Sequence, residues 1–243
     1  MNRLEENVRV VRERIAVAAR AVGRDPAGIR LLAVSKTWPA EDVRALAALG
    51  QREFAENRVQ ELIGKAADLA ADPPPGVDPG ELVWHLVGQL QRNKAAAVVR
   101  LGAVVHSVDR APLVQALARA ARTEQRVLDV FGQVDLGGPP GQAGARGGVP
   151  PAEVPALADA VADSADLRLC GLMAVAPRGE DPAPAFARLA DVAARVRADH
   201  PGARELSAGM SADLEAAVTA GATVVRVGTA LFGYRALASD RDE

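Results

Sequence analysis

Cysteine, lysine and aromatic residues are scarce in this chain, and each shortage removes a kind of chemistry. A single cysteine, Cys170, allows no intrachain disulfide and no cysteine-based zinc site. The three histidines, His85, His106 and His200, lie far apart and show no metal-ligand spacing, so no metal is expected. Lys36, Lys65 and Lys94 are the only lysines among 29 basic residues, which leaves few amines for covalent chemistry. An excess of one charge is lacking too. The net charge is −2, and the arginines are spread along the chain, whereas a nucleic-acid surface needs a basic stripe. No run of about 18 uncharged apolar residues offers a membrane span. The opening residues, MNRLEENVRVVRERIAVAARAVGRD, hold no apolar core of a signal peptide. These features predict a cytoplasmic protein whose partners include neither nucleic acid nor a membrane.

What remains is an ordinary globular composition, 49% hydrophobic and 25% charged over 243 residues. Leu4, Val8, Val11, Ile15, Ala18 and Val22 recur at alternating steps of four and three. That spacing predicts an amphipathic N-terminal helix over residues 1–24, ending near Gly23. From residue 30 onward, short apolar runs alternate with longer helical patterns. Strands are predicted at 30–35, 52–55, 82–87, 103–107, 126–134, 167–172, 204–207 and 223–227. Eight strand signals separated by helices predict an α/β protein: a single (β/α)8 TIM-type barrel with an additional N-terminal helix. An open doubly wound sheet is the alternative. The chain reads as one domain over 1–243, with a disordered tail at 236–243. Residues 72–80 and 135–151 are rich in Pro and Gly and are expected to lack regular structure. The second stretch would lie on the active face, as a flap or as a solvated loop.

In such a barrel, function sits where strands end and the following loops begin. Lys36 follows the LLAVS strand directly, so its amine is expected to project from a buried strand toward the barrel mouth. Burial would lower its pKa, and a neutral amine can form a Schiff base with an aldehyde. The alternative is a lysine that reaches solvent or pairs with Glu56. Ser211 is placed at the N-terminus of the SADLEAAVTAG helix, either as a plain cap or as part of an anion site. Gly228 follows the last strand, beside Thr229, where a backbone could approach an anion closely. A lysine on the first strand facing a phosphate site after strands seven and eight suggests pyridoxal 5′-phosphate (PLP). His85, mid-strand beside Trp84, reads as a hydrogen-bonded core histidine, and Cys170 as a buried inert thiol. Met173 and Met210 could line the cofactor face or fill gaps.

The blocks LLAVSKTWP, FAENRVQEL, WHLVGQLQRNK, HSVD, GLMAVAP and SAGMSADLEAAVTAGATVVRVGTALFG occur in an order that resembles the pyridoxal phosphate homeostasis protein family. The resemblance runs from about residue 4 to Arg235. It implies a PLP-binding barrel like that of alanine racemase, with Lys36 bearing PLP and Ser211, Gly228 and Thr229 holding its phosphate. Arg226 would face the pyridine ring, and Asn57 would lie beside the cofactor. Departures from the family pattern are Ala55, Arg58 and Ala208, where Gly, an aromatic residue and Met are usual, and a 135–151 loop without lysine.

The implied function is to carry or buffer PLP in vitamin B6 and amino-acid homeostasis. PLP-dependent apo-enzymes would be the recipients, no residue would be catalytic, and the chain would be a monomer or weak dimer. A PLP-dependent amino-acid racemase is the enzymatic alternative, and a PLP-free barrel binding a sugar phosphate is a third. Racemisation by this route commonly needs a Lys and a Tyr on opposite faces of the substrate. Tyr234 is the one tyrosine, and it is not expected to be placed for that role.

Overall fold

Eight parallel strands close on themselves in sequence order, from β1 (Arg30–Val34) to β8 (Val224–Val227), in a computed structural model that describes residues 3–137 and 147–234. The intervening strands are β2 (Glu53–Glu56), β3 (Val83–Leu86), β4 (Val104–Val108), β5 (Leu128–Val134), β6 (Leu167–Ala174) and β7 (Glu205–Ser207). All eight fall where the apolar runs predicted them. Closure is made by β1 and β8, which pair from Arg30 with Val224 through Ala33 with Val227. The expected tail at 236–243 and the middle of the 135–151 loop lie outside the described residues.

Among the described residues the helices are α1 (Arg3–Ala21), α2 (Ala40–Ala48), α3 (Val59–Ala71), α4 (Ala95–Leu101), α5 (Ala111–Thr123), α6 (Val154–Ala162), α7 (Pro182–Asp199), α8 (Leu214–Thr219) and α9 (Thr229–Phe232). They bury their apolar stripes against the outer faces of the strands. In α1 the buried residues are Val8, Val11, Ile15, Ala18 and Ala19, and the helix packs on α8 and α9. It ends at Ala21, close to the predicted end, because Gly23 takes a left-handed conformation (φ +68°) and turns the chain, leaving Val22 exposed.

Side chains alternate across each strand, so every second residue points into the barrel. Leu32, Val34, Ala55 and Val224 form a small apolar cluster there, separate from the main core between strands and helices. The rest of the interior is unusually polar: His85, His106, Ser207 and Arg226 are all buried. The loop after β5 is less irregular than predicted. Val149 returns to the edge of β5 and exchanges backbone hydrogen bonds with Gln133 and Asp135. Val149 is itself buried, which supplies the apolar reason for that return.

Candidate functional site

Beyond the C-terminal ends of β1, β2 and β8, a cleft of about 400 Å³ opens between Lys36, Asn57, Arg58, Gly228, Thr229 and Tyr234. Of the six residues predicted to form a site, it brings together Lys36, Asn57, Gly228 and Thr229. Ser211 and Arg226 stand behind it.

Lys36 is exposed, one residue beyond the fully buried Ser35. The expectation of a buried amine is therefore corrected: the strand is buried, but the side chain leaves it at the rim. The next residue, Thr37, holds φ at +67°, which is strained for a β-branched side chain. Its backbone N–H donates to Glu61 Oε2 (3.1 Å), and that bond helps hold the turn that presents Lys36.

Glu56 does not pair with Lys36. Its Oε1 accepts from Ser35 Oγ (2.6 Å) and from Lys65 Nζ (2.5 Å), and Lys65 also donates to the Ser35 carbonyl (2.7 Å). Burial pushes the Glu56 carboxyl above its ordinary value, against the pull of Lys65 and Ser35. This buried knot pins the end of β1 to β2 and α3. Sequence reasoning missed Lys65, although its place on the apolar face of α3, with Leu62 and Leu69, was a readable signal for a buried amine.

Two glycines let the backbone close around the cleft. A Cβ on Gly228 would stand 3.1 Å from the Val34 carbonyl oxygen, and one on Gly88 only 2.0 Å from that of Asn57. Trp38 stacks on Phe232 across this side of the barrel, with ring centroids 5.7 Å apart. Ser211 is not the cap of α8, which starts at Leu214 after Asp213. Asp213 Oδ1 instead accepts from the Met210 N–H (2.5 Å), because the chain makes an extra turn before the helix begins. Ser211 Oγ accepts from the Ala230 N–H at 3.1 Å and so joins the turn after β7 to α9, the helix that follows β8.

Arg226 is buried in the barrel. It donates to Ser207 Oγ and to the Ala174 carbonyl, both at 2.8 Å. Desolvation lowers its pKa to about 10, so it remains a cation at neutral pH. The histidines are not all apart: His85 Nδ1 and His106 Nε2 meet at 2.9 Å, because β3 and β4 are neighbours and both rings point inward. Cys170 is half-buried instead of fully buried, and burial pushes its thiol up to about 12. Met173 lies buried within β6, one residue from its end, while Met210 is exposed. Tyr234 reaches the cleft edge, contrary to expectation, but it is 95% exposed and not fixed against the rim.

A closed barrel of eight parallel strands in this order, with a helix before it, has the fold of the alanine racemase N-terminal domain. The model of that family, described as "Alanine racemase, N-terminal domain", matches residues 1–236. A Pseudomonas aeruginosa relative named Pyridoxal phosphate homeostasis protein is 44% identical over 238 residues, covering 97% of each chain. One of that name from Mycobacterium tuberculosis is 46% identical over 241 residues, covering 94% of this chain and 92% of the relative. The solved structure of PipY from Synechococcus elongatus with PLP bound is 37% identical, has a TM-score of 0.76, and is matched over 90% of this chain and 100% of its own. The chain belongs to the pyridoxal phosphate homeostasis protein family.

Proposed function

We propose that this chain binds pyridoxal 5′-phosphate in the cleft at the C-terminal face of its barrel, and carries or buffers it without substantial turnover. The observation that carries this reading is the exposed Lys36 amine sharing one cleft with the Gly228–Thr229 turn. A space of about 400 Å³ suits a ligand of this size. The close approach of Gly228 to Val34 keeps backbone at the position where a side chain would exclude a phosphate. The names of the relatives and the PLP in PipY support the same ligand.

When bound, PLP supplies an aldehyde that condenses with an amine and a ring that can take up electrons. Lys36 would hold it covalently. Gly228 and Thr229 would receive the phosphate, with Ser211 fixing the loop that presents them. Asn57 would line the opposite wall. Arg226 can only donate hydrogen bonds, so toward a ring nitrogen it would offer an N–H and withhold the proton that a carboxylate partner would favour. That weakens the electron sink and suits a carrier in the cytoplasm, acting as a monomer or weak dimer, with PLP-dependent apo-enzymes as recipients. No helix among the described residues is long and apolar enough to cross a membrane.

The test is an absorbance spectrum of the purified protein with and without PLP, then borohydride reduction and peptide mapping. Label on the Lys36 peptide supports the reading. Label on Lys65 or Lys94 with Lys36 untouched overturns it. The placement of Tyr234 at the cleft edge favours a second reading, a racemase. Rapid racemisation that Tyr234→Phe abolishes would establish it over the carrier.

A further inference from the structure

We propose that Glu53, at the opposite end of the barrel from the cleft, is a positioning residue for Arg226, acting through a one-directional chain of hydrogen bonds formed by His85, His106 and Ser207. The chain follows from what each group can donate. Arg226 Nη1 donates to Ser207 Oγ at 2.8 Å, and a guanidinium cannot accept. The Ser207 hydroxyl proton then needs its own acceptor, and His106 Nδ1 lies 2.9 Å away. With Nδ1 accepting, neutral His106 carries its proton on Nε2, which faces His85 Nδ1 at 2.9 Å. His85 in turn carries its proton on Nε2, which makes no hydrogen bond of its own and lies within ion-pair distance, 3.4 Å, of Glu53 Oε2. A carboxylate only accepts, so both ends impose the same direction. Reversing the rings would aim a lone pair of His85 at the carboxylate and strand the Ser207 proton.

The surroundings hold the chain in this state. His106 stacks on Phe131 with ring centroids 4.2 Å apart, which fixes its plane. Burial lowers the pKa of both histidines and keeps them neutral. The charged groups acting on His85 are Glu53, Arg30 and Asp129, and on His106 they are Arg226 and Arg30. At the far rim, burial pushes Glu53 up, but its contacts with His85 and Arg30 outweigh this and leave its carboxyl below the ordinary value. A buried cation without a carboxylate hydrogen-bonded to it is costly. The polarised chain turns the negative ends of its dipoles toward Arg226 and ends on a carboxylate that completes the compensation.

The inference rests on the PLP reading only for its second readout. The first is nitrogen-15 NMR of the apo-protein at pH 7, where His85 and His106 are both expected neutral with the proton on Nε2. A charged ring or an Nδ1–H form overturns the proposal. The second compares Glu53→Gln, whose amide can donate back to His85, with Glu205→Gln, which changes the same rim without touching the chain. Glu53→Gln is expected to mix the tautomers, shift the absorbance band of bound PLP and weaken PLP binding about two- to tenfold, the cost of losing one hydrogen bond within the His85–His106–Ser207 chain. Glu205→Gln is expected to change none of these. Unchanged tautomers and affinity in Glu53→Gln, or the same losses in Glu205→Gln, overturn the proposal. Should Glu53→Gln fail to fold, Glu53→Asp, which withdraws the carboxylate, is read the same way. If the unmodified protein takes up no PLP, the carrier function falls, while the apo spectrum still decides the direction of the chain.

Discussion

At the N-terminal ends of the strands, Arg30, Glu53 and Glu205 answer one another's charges. Arg30 lies 3.2 Å from Glu53, bonds to Glu205, and sits above a second cleft of about 400 Å³ that also holds Arg12 and Arg52. At the C-terminal ends, Lys36, Asn57 and Thr229 are exposed around a space of the same volume. Volume therefore does not separate the two rims. What separates them is whether polar groups are already engaged with one another or presented to a ligand. On the proposed reading, one set of strands would support stability at one end and binding at the other.

The largest expected effect lies at the binding end. Lys36→Ala should abolish covalent retention of PLP while leaving the urea midpoint where it was, since the side chain is exposed; retention after reduction would break the contrast between the rims. Next comes Gly228→Val. Crowding against the Val34 carbonyl should cost about 1–3 kcal/mol; felt at the cleft, that is about five- to 150-fold in PLP affinity measured by titration.

Acid should act on the barrel interior. Burial lowers the pKa of His106 well below its ordinary 6.5, so the unfolded chain binds more protons than the folded one below that pH. Stability is therefore complete above about pH 6.5 and falls on acidification, by up to about 1.4 kcal/mol per pH unit from His106. Urea unfolding at pH 7 and pH 5.5 measures this, and a flat profile would remove the neutral histidine from the account. The smallest effect is expected for Ser211→Ala, which deletes one bond to the Ala230 N–H. A loss of about 0.5–1.5 kcal/mol in PLP binding is expected, with little change in unfolding.

All eight strands were readable from hydrophobic periodicity, because a parallel barrel writes each strand as a short apolar run between helices. The rim residues Lys36, Gly228 and Thr229 were legible for the same reason, since they follow strand ends, and Asn57 through the family resemblance. What was not legible depends on distance in space. His85 and His106 stand 21 residues apart, and only strand adjacency makes them partners. The Lys65–Glu56 pair is likewise a contact between an element and its neighbour. Ser211 was misplaced by a few residues because one extra turn precedes α8, a detail the hydrophobic pattern does not encode.

The first helix does more than cover the barrel. Arg14 donates to the Ser211 carbonyl at 3.0 Å and clasps Glu215, while Asn7 donates to the Leu231 carbonyl at 2.7 Å. Those carbonyls belong to the turn after β7 and to α9, the two segments that the Ser211–Ala230 bond joins. The helix is thus a brace behind the rim, touching no ligand-facing side chain yet coupled to both segments that would order around a ligand. A ligand that ordered those segments would be felt in α1 as well, and loosening this brace is expected to weaken binding on their far side.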